Sequence, residues 1–176
     1  MSRQLTLALS LAALVAGAAL AAPPPKKSAA APTSPAPAKA DSLPIFDPEA
    51  DGDLTIAHYK VVCDQSNRRM LLVFGTNDCK PCRNLNTAIF EPKFLNQLLR
   101  QFVPAFVDVT PGNSNAAIPE RFGVDPKAPL PAIVIFGPRG NVDEVLKAGE
   151  MAAIASQGPE AAQLWIVQRF ERSKPD

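Results

Sequence analysis

The segment Arg69-Met-Leu-Leu-Val-Phe-Gly75 runs through a three-residue turn into Cys79-Lys80-Pro81-Cys82. This junction constrains the chain more than any other feature. A short apolar run closed by glycine reads as a buried strand, Thr76 to Asp78 as a turn, and Cys79 to Ile89 as a helix. The first thiol then sits at a helix N-terminus, where free N–H groups and the helix dipole stabilise a thiolate. The second lies one turn inside and is shielded. That arrangement suits two-step exchange, in which Cys79 attacks a partner disulfide and Cys82 resolves the mixed disulfide. Pro81 is tolerated in a first helical turn, where its missing N–H would be unpaired anyway, and it stiffens the loop. Strand, CxxC and helix in that order inside a βαβ pattern mark redox chemistry. The plainer alternative is a fixed disulfide or a chance pair of buried cysteines.

The surrounding pattern alternates. Asp53 is the expected N-cap of a helix over 53–66, with Leu54, Ala57, Val61 and Val62 near helical spacing. Pro92 breaks or kinks the helix after the cysteines before 93–100 continues it. Phe102 to Val109 is a second strand, and Pro104 inside it argues for a sheet edge or an irregular start. Asn115 to Phe122 reads as a short helix, Ala132 to Phe136 as a third strand, and Asn141 to Leu146 as its hairpin partner after a Gly-Pro-Arg-Gly turn. Pro159 opens a last helix to about 172, with Ala162, Leu164, Ile166, Val167 and Phe170 on or near its inner side. Trp165 and Phe170 read as core. The order β-α-β-α-β-β-α behind an extra N-terminal helix describes an α/β layered domain over 43–173.

The flanks read differently. Arg3 and the apolar run Leu5 to Leu20, ending at Ala19-Leu20-Ala21, have the form of a secretory signal over 1–21, cleaved near Ala21. An uncleaved membrane anchor is the alternative. Residues 22–42 are Pro- and Ala-rich and lack the apolar content to form a core, so they read as a disordered tether. The chain has 19 prolines, and eight fall between Pro23 and Pro48. Removing 1–21 takes away Arg3 and no acid, which lowers the net charge from +1 to zero. So balanced a charge gives no basic surface for nucleic acid, and one apolar run excludes a multi-span membrane protein. With 3 cysteines and 1 histidine, an all-cysteine zinc site is excluded. A mixed site of His58, Cys63, Cys79 and Cys82 is disfavoured, because five residues separate His58 and Cys63 on one helix. Covalent haem attachment is excluded by Arg83, which stands where CxxCH requires histidine. No metal or separate cofactor is expected; the redox group would be the Cys79–Cys82 disulfide itself. The acidic stretch Asp47 to Asp53 resembles a calcium loop only weakly, since His58 stands where the bidentate glutamate belongs; it reads as a solvated helix start. Cys63 reads as a half-buried apolar residue, with intermolecular pairing or exchange with the active pair as alternatives.

Leu130-Pro131 before Ala-Ile-Val-Ile-Phe136 makes a resemblance definite. Residues 70–82 (MLLVFGTNDCKPC), Val107-Asp108-Val109, 130–136 (LPAIVIF), Gly140-Asn-Val142 and Gly149 resemble the thioredoxin-like superfamily in order and spacing. The Phe90-Glu-Pro92 segment and FDPEAD near the N-terminus resemble its secreted or periplasmic branch, related to thiol:disulfide interchange domains. The resemblance implies a thioredoxin-like fold: a central mixed sheet flanked by helices, here with an extra N-terminal helix. It implies Cys79 as nucleophile, Cys82 as resolving thiol and Pro131 as a cis-proline facing them. Leu130 would pair with an extended substrate segment, and Gly149 would lie beside the substrate groove. Protein thiols and disulfides would be the partners, with a membrane-bound electron donor for a reductant. A non-catalytic module with a structural disulfide, or a thiol-based copper or zinc carrier, would use the same residues. Three positions depart from the pattern: Asp78 replaces the tryptophan before the first cysteine, Val73 the buried acid, and Ala132 the threonine after the cis-proline. Asp78 disfavours a Cys79 thiolate, whereas Lys80 and the helix terminus favour it, and Pro81 between the thiols is grouped with them as a tuning residue.

Overall fold

The computed structural model describes residues 45–172. The signal segment 1–21, the tether 22–42, and residues 43, 44 and 173 of the expected domain lie outside the described residues. Four strands form one mixed sheet in the order β2-β1-β3-β4: β1 (Arg69–Gly75), β2 (Phe102–Asp108), β3 (Ala132–Phe136) and β4 (Val142–Val145). β1 pairs parallel with β2 and antiparallel with β3, and β4 closes the β3 hairpin. Pro104 lies on β2, an edge strand, where its missing N–H breaks no ladder to a further strand.

Alternation along the strands splits the core into two clusters. Leu71, Val73, Ile133 and Ile135 face one way, with helices α2 (Lys80–Ile89), α4 (Glu150–Ala155) and α5 (Pro159–Arg172) packed over them. Met70, Leu72, Phe74, Val134 and Phe136 face the other way, under α1 (Gly52–Ser66). On α2, Cys82, Leu85 and Ile89 form one buried stripe at i, i+3 and i+7. Full burial of Leu85 and Ile89 contributes about 1.5–3 kcal/mol each. Asn84 Nδ2 donates to the Ala155 carbonyl at 2.8 Å and Gln163 Nε2 to the Ala88 carbonyl at 3.0 Å, tying α2 to α4 and α5.

Several local expectations are corrected. The N-cap of α1 is Asp51, whose carboxylate accepts the Asp53 and Leu54 N–H groups, so Asp53 lies in the first turn, paired with Arg121. The buried face of α1 is Ile56 and Cys63 with Tyr59 and Val62 beside them, while Leu54 is 69% and Val61 54% exposed. Leu54 and Ile56, like Val61 and Cys63, are two residues or about 200° apart, so only one of each pair can face inward. The same geometry puts Leu164 at 61% exposure while Ala162 and Ile166 are buried. Trp165 packs against the core; the Phe170 side chain lies outside the described residues. Pro92 begins a separate helix, α3 (Pro92–Leu98), capped by Glu91, whose carboxylate accepts the Phe94 N–H. The helix expected over 115–122 is only a 3-10 turn, Pro119–Phe122. Asn115 is buried there and bonds the Gly52 N–H and the Ala50 carbonyl, replacing local helix bonds with long-range ones. Helix α4 was not expected at all. Among the described residues no helix is long and apolar enough to cross a membrane.

Candidate active site

The apolar β1 ends at Gly75, and the chain turns through Thr76 to Asp78 with the Cys79 N–H donating to the Thr76 carbonyl at 3.3 Å. Cys79 is the N-cap of α2, in extended conformation at φ −74° and ψ 111°. Its Sγ accepts the Cys82 N–H at 3.2 Å. A sulfur therefore occupies the place where an N-cap oxygen usually sits, at the positive end of the helix dipole. Lys80 and Pro81 follow as the first helical residues, Lys80 exposed and Pro81 half-buried; Asp78 is exposed just before.

Cys79 and Cys82 are joined, with S–S 2.11 Å and Cα–Cα 5.2 Å. The two sulfurs differ in access: Cys79 is half-buried and Cys82 is 1% exposed. Cys82 sits in the apolar cluster that also holds Val73, at the position where the superfamily pattern has an acid.

The Leu130–Pro131 peptide bond is cis, as the resemblance implied, and it stands at the start of β3. The Leu130 carbonyl oxygen lies 3.4 Å from Cys79 Sγ. Pro131 is buried and Leu130 half-buried. Ala132 pairs with Phe74 across the sheet, which puts β3 beside the end of β1. Gly149 caps α4 with φ +74°, and a Cβ there would meet Pro129 Cδ at 3.4 Å. Gly149 therefore flanks the same proline loop. A cavity of about 120 Å³ borders this loop at Leu130, with Val109, Pro119, Val124 and Pro126 also among its lining. Cys79 is thus joined to Cys82 and lies against the Leu130 carbonyl of the cis-proline loop, Gly149 lies beside Pro129 of that loop, and Asp78, Lys80 and Pro81 border the thiols along the chain.

Cys63 is elsewhere. It is free, 1% exposed, and packed in the cluster on the opposite face of the sheet. Burial pushes its thiol pKa up, and the Arg68 guanidinium opposes that by less. His58 is exposed on α1. The four residues of the mixed zinc arrangement therefore do not meet. Among the described residues no group of three or more His, Cys, Asp or Glu is arranged to hold a metal ion.

Comparison with known proteins agrees with this geometry. The Thioredoxin-like family profile matches residues 56–138, which include both thiols and the cis-proline. Residues 56–138 are thioredoxin-like in sequence, and the domain has the thioredoxin-like fold. The crystal structure of a disulphide isomerase from Xylella fastidiosa Temecula1 superposes on this thioredoxin-like domain with TM-score 0.65 and 24% identity, covering 72% of this chain and 96% of that one. A protein of unknown function from Pseudomonas aeruginosa matches with TM-score 0.43 and 14% identity, covering 72% of this chain and 89% of that one. No curated protein matches.

Sequence reasoning did not single out three residues that shape the site. Asn77 Oδ1 accepts the Phe46 N–H at 3.1 Å and its Nδ2 donates to the Phe46 carbonyl at 2.7 Å. Arg83 Nη1 donates to the Asn77 carbonyl at 2.8 Å. These bonds link residues that are distant in sequence or differently oriented, and no spacing rule marks them.

Proposed function

We propose that this chain is an exported thiol–disulfide oxidoreductase that reduces or exchanges protein disulfides through Cys79 and Cys82. The observation that carries this reading is the asymmetry of the pair: an accessible Sγ at a helix N-terminus, accepting the Cys82 N–H, above a resolving sulfur that is sealed in the core. In the reduced protein the Cys79 thiolate attacks one sulfur of a substrate disulfide. A mixed disulfide forms and one substrate thiolate leaves. Cys82 then loses its proton to the departing thiolate and attacks Cys79 Sγ, which releases the second substrate thiolate. Two electrons pass to the substrate, which becomes a dithiol, and Cys79–Cys82 becomes the disulfide. Run backwards, the same steps oxidise a substrate dithiol.

The Leu130 carbonyl, Pro131 and Gly149 would receive an extended substrate segment beside Cys79, with main-chain pairing to Leu130. Asp78, Lys80 and Pro81 would tune the Cys79 thiolate. The disulfide is the redox group, and no separate cofactor is invoked. The site is read as serving a periplasmic or secreted protein, released near Ala21, that meets protein thiols and a membrane-bound electron donor. Disulfide-exchange assays test the reading: Cys79→Ala abolishes exchange, and retention of the wild-type rate would sink it.

One observation favours a second reading. The cluster around Cys82 has Val73 where a proton-transferring acid is usual, which suits a binding module with a fixed disulfide. The two readings part on whether cellular dithiols reduce the pair.

A further inference from the structure

The turn that carries Cys79 is held from two sides by contacts that the exchange chemistry itself does not use. On one side, the Asn77 amide takes both backbone groups of Phe46, accepting at 3.1 Å and donating at 2.7 Å. A single side chain thus supplies the pairing that a neighbouring strand would otherwise offer. Phe46 is a firm anchor. It is 1% exposed, its ring stands edge-on to Phe106 at 5.7 Å, and a Cβ on Gly75 would meet its Cζ at 2.4 Å. On the other side, Arg83 in α2 donates to the Asn77 carbonyl at 2.8 Å, and its own N–H donates to the Cys79 carbonyl at 3.1 Å.

We propose that Asn77 is a positioning residue for Cys79: by clamping the Thr76–Asp78 turn to Phe46 it keeps Cys79 Sγ aligned on the Cys82 N–H. The consequence for exchange rests on the proposed function, but the alignment can be measured without it. A hydrogen bond to a thiolate stabilises it only while the N–H points at the sulfur. The backbone bond inside the turn, from Cys79 to Thr76, is long at 3.3 Å and holds the turn weakly by itself. Without the clamp the turn is free to pivot beyond Gly75, and Cys79 exchanges one aligned donor for water. The segment entering the domain at Phe46 is therefore part of the thiol site.

The test is the pH profile of Cys79 alkylation by iodoacetamide in the reduced full-length chain. Mass spectrometry separates the Cys79 peptide from those of Cys63 and Cys82. Asn77→Ala moves the profile to higher pH and slows alkylation below the midpoint by about three- to tenfold. Asn77→Gln, which keeps the amide on a longer stem, falls between Asn77→Ala and wild type. Asn84→Ala is the control, because it removes an amide bond of the same kind, Asn84 to Ala155 at 2.8 Å, further along α2. It leaves the Cys79 profile at its wild-type position. Thermal unfolding is followed for all three variants, and Asn77→Gln carries the test should Asn77→Ala not fold. Wild-type profiles for both Asn77 variants would overturn the proposal. So would equal shifts in Asn77→Ala and Asn84→Ala, which would mean general loosening of α2. Wild-type protein that shows this profile yet performs no disulfide exchange would sink the functional reading and leave the positioning role standing.

Discussion

Cys63 and Cys82 are equally buried, each 1% exposed, on opposite faces of one sheet. Cys82 lies in the first turn of α2 and shares a disulfide with the N-cap residue. Cys63 lies in the last turn of α1, where its carbonyl accepts the Arg68 N–H at 3.1 Å. The two ends of a helix carry opposite partial charge, so the first location favours thiolate character nearby and the second opposes it. Burial alone therefore does not separate a reactive cysteine from an inert one. Place along the helix, and a partly open neighbour such as Cys79, do.

The largest effect that can break this contrast is on exchange rate. Cys79→Ser lowers disulfide exchange on the order of a thousandfold or more, whereas Cys63→Ala leaves it within about twofold. Equal losses in both variants would place Cys63 in the chemistry after all.

Next comes packing on the two faces. A Cβ on Gly75 would meet the Phe46 ring at 2.4 Å, and one on Gly52 would meet Ile118 Cδ1 at 2.6 Å. Gly75→Ala and Gly52→Ala each destabilise the fold by about 1–3 kcal/mol in urea unfolding. Only Gly75→Ala, which pushes on the ring under the thiol turn, also slows Cys79 alkylation. A smaller loss, about 1–2 kcal/mol, follows Gly149→Ala, because its φ of +74° is unfavourable for a residue with a Cβ while the neighbouring Pro129 contact at 3.4 Å is ordinary.

The smallest effect is pH dependence. The Cys63 thiol is raised above its ordinary value of 9.0 in the folded protein. The unfolded chain therefore gives up this proton at lower pH than the folded one, so its contribution to stability is full below that value and is lost as pH rises through the folded pKa. In the oxidised protein, where Cys79 and Cys82 do not titrate, unfolding free energy falls more steeply above pH 9 in wild type than in Cys63→Ala. Identical slopes would mean that Cys63 is hydrated.

How much of this was legible in the sequence depends on the range of the contact. The strand, turn, CxxC and helix are one continuous segment, and local patterning describes them correctly. The cis-proline lies 52 residues after Cys79, as the numbering shows, and entered through resemblance rather than spacing. The inner face of α1 was misjudged because apolar Leu54 and Val61 each stand two residues from the true inward position. Helix α4 has six residues, too few for a periodic signal. The Asn77 clamp joins residues 31 apart through backbone groups that carry no sequence identity.

The central claim is that Cys79–Cys82 is a working redox pair and Cys63 is a packed bystander. Equilibration of the full chain with graded dithiol buffers, read by alkylation of all three cysteines, tests it directly. The account predicts a Cys79–Cys82 reduction potential above about −300 mV, with Cys63 unmodified in the folded protein throughout. A potential below that value would make the disulfide a structural bond and contradict the account.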